Sequence, residues 1–441
     1  MSREGNLEAP TRHPLDWKSP DFYDHAKTEA EMERIFDICH GCRRCFNLCH
    51  AFPLLFDAVD EAGGGELHGV PETVLWDVVD QCYLCDMCFM TKCPYTPPHP
   101  FNLDFPHTML RAKAVQFKEG KPNFRDRLLT STDALGRLAS IPVVVQMVNA
   151  VNNNGVTRVL MDKTLGIHRE RKLPTYTSAT FRKHAAPRDD FPVRDGPQTP
   201  GKVVVYSTCY INYNEPGIGL DLLKVLAHNE IPARLLEKEA CCGMPKLELG
   251  DLESVAALKE KNIPLLAEVA RAGYAIMTPI PSCTLMFKQE LPLMYPEDAE
   301  VKAVAEAMFD PFEYLSLRHA EGLLKTDFTQ PLGRVAYHVP CHLRVQNIGL
   351  KTKELLQRVP DTTIHTVERC AGHDGTWGVK SEHFEMSMKI GRPVFNRMKE
   401  EDPDYVSSDC PIASRHILQG MKEEHDKEHP ISLLRIAYGL K

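Results

Sequence analysis

The chain has 441 residues, 43% of them hydrophobic and 25% charged, with a formal net charge of −8. That is room for about three domains of ordinary globular composition, and the acidic balance with no basic block argues against a nucleic-acid partner. No run approaches the roughly 18 apolar residues of a membrane-spanning helix, and the polar start MSREGNLEAPTRHPLDW lacks the apolar core of a Sec signal; fifteen cysteines in such a chain point to a reducing, cytoplasmic setting, with thiols as metal ligands more than as disulfides.

Residues 1–30 read as a polar arm carrying three prolines. From Thr28 on, Met32, Ile35 and Phe36 recur at helical spacing and predict a helix ending in a first group of cysteines. That group is Cys39, Cys42, Cys45 and Cys49, within CHGCRRCFNLCH. Gly63–Gly65 mark a loop. Val74, Leu75, Val78 and Val79 then predict a helix running into Cys82, Cys85, Cys88 and Cys93, within CYLCDMCFMTKCP. Each group reads C-x2-C-x2-C, with a fourth cysteine after three or four more residues. Three thiolates at this pitch reach three irons of one cubane, and in the bacterial ferredoxin pattern the fourth reaches across to the other cluster. The expectation is two [4Fe-4S] clusters in an all-helical module over 31–106. One takes Cys39, Cys42, Cys45 and Cys93; the other takes Cys82, Cys85, Cys88 and Cys49. Two structural zinc sites are the weaker alternative, since a tetrahedral site has no use for a third cysteine directly after a C-x2-C pair. Two details depart from the ferredoxin pattern: His50 rather than proline follows Cys49, and four residues precede Cys93. Arg43, Arg44 and Lys92 lie inside the groups and read as exposed, silent charges.

The proline-rich PYTPPHPFNLDFPH closes the module, and 107–200 read as a helical segment and linker. LRAKAVQF and RDRLLTSTDALGRLASIPVVVQMVNAV have helical texture. Ile141–Val151, the most apolar stretch of this half, is too short to span a bilayer. It reads as a buried helix, with an interfacial or partner-facing helix as the alternative. Residues 168–200 read as a polar linker whose HRERK and FRKH runs are solvated.

From Lys202 strands alternate with helices. KVVVYSTC, ARLLEKEACCG and YAIMTPIPSC are separated by the helical stretches GLDLLKVLAHN and ESVAALKEKNIPLLAEVARAG. RVAYHVPC, a helix over QNIGLKTKELLQRV, TTIHTVERCAG and YVSSDC follow in the same order. The alternation implies βαβ units and a mostly parallel sheet. The cysteines fall at the carboxyl ends of the strands, where open α/β sheets bind ligands. Cys209, Cys241 and Cys283 recur as Cys341, Cys370 and Cys410 roughly 130 residues later, so 201–330 and 331–441 read as a duplication. The first half adds Cys242, in CCG at 241–243. Four thiolates from three strand ends form a metal-site layout, and Gly243 frees the backbone to turn around them. No phosphate-binding glycine loop and no C-x-x-C-H haem site is present.

Two ferredoxin-type groups followed by two cysteine-rich repeats resemble the family of the anaerobic glycerol-3-phosphate dehydrogenase C-subunit. That family is similar to the glycolate oxidase iron–sulfur subunit and to the heterodisulfide reductase B-subunit. The resemblance spans residues from about 30 to about 430 and is most specific in CHGCRRCFNLC, CYLCDMC, CCG, YHVPCHLRVQNIG and CAGHDGTWG. It implies an α/β fold with an all-helical ferredoxin-like N-terminal module and duplicated CCG-type half-domains, whose full pattern is C…CCG…CxxC. It also implies electron transfer between a partner redox protein and another carrier, often a membrane quinone. The sequence departs from that pattern. Thr284, Leu285 and Met286 follow Cys283, Pro411, Ile412 and Ala413 follow Cys410, and Ala371 stands where the second adjacent cysteine belongs. The first repeat is expected to hold an iron–sulfur cluster or zinc. The second has three cysteines, with His338, His342, His373 and Asp409 as further candidate ligands. The leading reading is an iron–sulfur electron-transfer subunit, cytoplasmic or peripheral on the inner face of the cell membrane. Its partner would be a dehydrogenase, or a di-iron peroxidase of the rubrerythrin kind. A disulfide or quinone reductase acting at the CCG site and a zinc scaffold are the alternatives.

Overall fold

A computed structural model describes residues 10–62, 64–91, 93–422 and 426–441. The start of the arm, Gly63 of the glycine loop and Lys92 of the second cysteine group lie outside the described residues. The chain forms two compact units. One comprises 1–130 with 245–255 and 293–296; the other comprises 131–244, 256–292 and 297–441.

The first unit is helical. Helix α1 (His25–Cys42) starts on Asp24, whose carboxylate accepts from Lys27 N–H at 2.9 Å, the usual way to satisfy an orphan amide. It buries Met32, Ile35 and Phe36 on one face. Helices α2 (Ala51–Glu61), α3 (Glu72–Gln81), α4 (Met87–Thr91) and α5 (Phe105–Lys118) follow. Phe52 stacks obliquely on Phe105 at 4.7 Å, and Phe36 lies 5.8 Å from Phe105, so α1, α2 and α5 share one aromatic core. Helix α6 (Phe124–Leu129) closes the unit with a capping box of Asn123 and Asp126. The arm is bound, not free. Trp17 is buried and donates to the Met294 carbonyl at 3.0 Å.

The second unit carries helices α7 (Thr132–Ala139), α8 (Val144–Asn153) and α9 (Gly155–Leu165), then two parallel sheets. Strands β1 (Val203–Val205), β2 (Ala233–Leu235), β3 (Ala275–Met277) and β4 (Met308–Phe309) form the order β2-β1-β3-β4. Strands β5 (Gly333–His338), β6 (Thr362–Val367), β7 (Tyr405–Ser408) and β8 (Asp426–Lys427) repeat it as β6-β5-β7-β8. Val204 pairs with Arg234 and Ile276, and Ala336 with His365 and Val406. All three residues of β1 are buried, as expected for a central parallel strand. Because β2 and β3 lie on opposite sides of β1, connections leave its carboxyl end in both directions and open a crevice there.

Four features differ from the sequence reading. The edge strands β4 and β8 have two residues each, too short to leave a pattern. The helix expected over 346–359 is only Lys351–Leu356, because Asn347 and Gly349 take left-handed backbone at φ 56° and 81°. The apolar stretch 141–151 is not buried: Val145 is enclosed, but Val143 and Met147 are 70% and 61% exposed. Two of the 168–200 linker charges, Arg171 and Arg182, are engaged by the protein, while Arg169, Lys172, Lys183 and His184 are exposed as expected. Arg171 is buried and donates to Ser387 Oγ at 2.7 Å, while Arg182 donates to the Leu236 and Glu237 carbonyls. Among the described residues no single helix is long and apolar enough to cross a membrane; α7 and α8, bent by 109°, reach that composition only together.

Candidate metal centres

Helix α1 runs through Cys39 and Cys42, and Arg43 ends it in left-handed backbone with its N–H on the Cys39 carbonyl at 2.8 Å. The chain therefore reverses between Cys42 and Cys45. In the second group α3 stops just before Cys82, and Leu84 and Asp86 are left-handed at φ 52° and 59°. A leucine in that region is a genuine outlier. Alternating right- and left-handed residues turn successive N–H groups inward, a concavity found at many iron–sulfur sites. Cys39, Cys42, Cys45 and Cys93 line one cavity together with Pro94 and Tyr95. Burial pushes the Cys39 thiol well up, and the nearby Cys45, Cys93 and Cys42 add to it. Burial likewise raises Cys88, with Cys45, Cys85, Cys82 and Cys49 as its charged neighbours. So Cys93, from the second group, lines the cavity of the first. Arg44 lines the first cavity rather than standing clear of it, and Arg43 is tied to Asp60 at 2.7 Å.

Arg12 braces the second loop. Its guanidinium donates to both Asp86 oxygens at 2.8 and 2.9 Å, and to both Asp104 oxygens at 2.8 and 3.2 Å. It also lies over the Phe89 ring at 4.6 Å. Burial pushes the Asp104 carboxyl up, but Arg12 and His107 outweigh it and hold it at about 2. No spacing rule marks Arg12, which lies 74 residues from Asp86.

In the first repeat Cys209 follows β1, the Cys241–Cys242 pair follows β2, and Cys283 follows β3. Thr208, just before Cys209, is a β-branched residue at φ 59°, strain stored at the site. Hydrogen bonds from Cys209, then from Cys242, hold Cys241 well below its ordinary thiol value, and Cys242 in turn contacts Cys283. Thr132 Oγ1 lies 3.3 Å from the Cys241 sulfur, and Gly243 N–H donates to it at 3.5 Å, with Gly243 at φ 102°. Asp133 accepts from Cys241 N–H at 2.5 Å, and fully buried Asn262 grips the Ala240 N–H and the Cys241 carbonyl. Thr132, Asp133 and Asn262 carry no signal in the sequence, because folding alone brings α7 and the helix Leu252–Arg271 to this loop.

In the second repeat Cys341, Cys370 and Cys410 follow β5, β6 and β7. Burial raises Cys341, and Cys370 and Cys410 are its next largest influences, so the three converge. His373 Nε2 is 3.9 Å from the Cys410 sulfur. His338, His342 and Asp409 are held by protein hydrogen bonds.

The donor sets suit iron–sulfur clusters. They are sets of cysteine thiolates, the usual ligands of such clusters.

The cysteine-rich (CCG) domain family matches twice, over 203–288 and 335–416, spanning every cysteine of both repeats. Over 342 residues the chain is 30% identical to the anaerobic glycerol-3-phosphate dehydrogenase C-subunit of Escherichia coli K12, covering 76% of this chain and 82% of that protein. It is 28% identical over 233 residues to the fumarate reductase (CoM/CoB) B-subunit of Methanothermobacter marburgensis, covering 52% and 44%. It is 31% identical over 243 residues to lactate utilization protein A of Bacillus pumilus, covering 54% and 97%.

Proposed function

The chain belongs to the family of the anaerobic glycerol-3-phosphate dehydrogenase C-subunit, and on that premise we propose that this iron–sulfur oxidoreductase subunit relays electrons from a partner oxidoreductase to a second carrier. The route is two [4Fe-4S] clusters in the helical, ferredoxin-like module 31–106 and a further cluster in the half-domain 201–330. Such clusters supply one-electron transfer over a range of potentials set by charge, burial and hydrogen bonds to sulfur. The chain's residues do the rest. Cysteine thiolates hold the irons. The left-handed residues Arg43, Leu84 and Asp86 turn the chain between successive cysteines. Thr132 and Gly243 donate to the Cys241 sulfur, which raises the potential of whatever that sulfur ligates.

The observation that carries this reading is that Cys93, from the second group, lines one cavity with Cys39, Cys42 and Cys45, where a two-cluster ferredoxin places its crossed fourth cysteine. The second carrier belongs at a membrane surface. In support, α7 to α9 expose Leu138, Val143, Met147, Val156 and Leu160, an apolar strip lying on amphipathic helices.

Anaerobic iron, sulfide and zinc determination with EPR at stepped potentials tests the proposal. Cys42→Ser and Cys93→Ser are each expected to abolish the same cubane signal and to lose about four irons per chain, with the other cubane intact. If Cys93→Ser instead removes the signal lost in Cys85→Ser, each group binds its own cluster and the ligand assignment is wrong. A protein holding zinc and no labile sulfide would overturn the electron-transfer reading altogether.

A further inference from the structure

We infer that the second half-domain holds an iron–sulfur cluster of its own on Cys341, Cys370, Cys410 and the imidazole of His373, the histidine taking over from the cysteine that Ala371 replaces. This inference rests on the electron-transfer reading above and names a ligand that reading leaves open.

The loop after β6 keeps the geometry of its counterpart although it lacks one thiol. Gly372 N–H donates to the Cys370 sulfur at 3.3 Å, as Gly243 N–H does to Cys241 at 3.5 Å, and both glycines are left-handed. A Cβ on Gly372 would come within 2.4 Å of the Ser387 carbonyl, so the loop is held close to its neighbour there. Ala371 packs into the hydrophobic core with Val394, Phe395 and Met398 and offers no donor.

His373 fills the gap. Its Nε2 lies 3.9 Å from the Cys410 sulfur, and its Nδ1 is shielded from solvent with no hydrogen-bond partner. A buried polar nitrogen left unpaired in a folded protein calls for an explanation, an absent ion among them. Two rival ligands are committed at both polar ends, and a third is tied by Nδ1 to the first half-domain. His338 uses Nδ1 on Ser408 Oγ at 3.1 Å and Nε2 on the Arg369 carbonyl at 3.0 Å. His342 uses Nδ1 on Ser282 Oγ at 2.8 Å. The Asp409 carboxylate accepts from Tyr337 at 2.5 Å and Thr352 at 3.0 Å.

The surrounding charge suits an anionic cluster. Behind His373, at 6.2 Å, lies the His416 ring, whose Nδ1 meets the guanidinium of Arg171. Arg171 is buried, and its hydrogen bonds go to His416 and Ser387 rather than to a carboxylate. A buried cation without a counter-charge is costly, and a thiolate-bound cluster supplies one. Histidine in place of cysteine raises a cluster's potential, so this centre is the most oxidising of the chain and the natural exit for electrons.

The test uses the full chain, purified anaerobically and labelled with [15N]histidine, with hyperfine EPR recorded at stepped potentials. The expected result is an imidazole-nitrogen coupling on one signal that appears at higher potential than the cubane signals. In His373→Cys that coupling vanishes and the signal moves to lower potential with iron retained. In His373→Ala about four irons per chain are lost while both cubane signals persist. The inference is overturned if the coupling survives in His373→Cys, or if His373→Ala keeps all its iron and sulfide. It is also overturned if wild type shows cubane signals and no coupled nitrogen, a result that leaves the electron-transfer reading standing. Absence of labile sulfide from the wild type removes both.

Discussion

Replacing Arg12 with alanine removes the one cation that ties two carboxylates together beside the second cysteine group. The guanidinium side chain is 11% exposed, Asp86 6% and Asp104 19%, so solvent screens these pairs little. Deleting one partner of a buried ion pair costs about 3–5 kcal/mol, because the remaining charge is stranded. The Asp104 carboxyl gives an independent figure. It is held at about 2 against an ordinary 3.8, and a shift of nearly two units is worth about 2–2.5 kcal/mol. With a urea m value of about 3 kcal/mol/M, the unfolding midpoint of Arg12→Ala falls by about 1–1.5 M. The pH dependence has a defined sign. A depressed carboxyl stabilises the fold above its unfolded value of 3.8 and loses that contribution as pH falls toward 2, so wild type is level in this respect between pH 5 and 8. Without Arg12 the burial that raises Asp104 is opposed by His107 alone, so its carboxyl moves up and the stabilisation it supplies shrinks. The gap between the two proteins therefore widens as pH rises from about 2 and levels off above the variant's new value. The assay is anaerobic urea unfolding, followed by far-ultraviolet circular dichroism and by the visible cluster absorbance. Arg12→Lys cannot fork to both carboxylates and recovers only part of the loss. A midpoint for Arg12→Ala within about 0.3 M of wild type, corresponding to under about 1 kcal/mol, with no pH trend, would refute the brace.

Asp310 caps the helix Pro311–Ala320, accepting from Phe312 N–H and Glu313 N–H. Burial, then Asp409 and Glu313, push its carboxyl up to about 8. The folded chain thus holds a proton that the unfolded chain releases near 4, and stability is lost as pH climbs from 4 to 8. Asp310→Asn keeps the cap without the charge. Its thermal midpoint is expected to exceed wild type at pH 8.5 and to match it near pH 5; the same difference at both values would show that ionisation plays no part. Val143→Asp and Met147→Asp place charge on the exposed strip of α8 and are expected to reduce co-sedimentation with lipid vesicles at least tenfold while cluster spectra stay unchanged. Undiminished co-sedimentation would assign the strip another role.

The two cysteine groups, the duplication and the alternation of strands with helices could all be read from the linear chain. Each is a local signal: ligand pitch, repeat offset and apolar runs need no distant partner to be meaningful. The parallel order β2-β1-β3-β4 and its repetition agree with that reading, since β-branched runs separated by amphipathic stretches leave few alternatives. What the chain alone left open was set by residues far apart in sequence. Arg12 reaches Asp86 and Asp104, Thr132 reaches Cys241, and Arg171 reaches His416. The runs HRERK and FRKH look solvated because charge usually is, and most of their charges are; folding buries Arg171 and half-buries Arg182 against hydroxyls and backbone carbonyls that no periodicity announces. Among four candidate ligands in the second repeat, composition ranks none above another. Three-dimensional packing separates them, because it engages His338, His342 and Asp409 in hydrogen bonds and leaves Nδ1 of His373 without one.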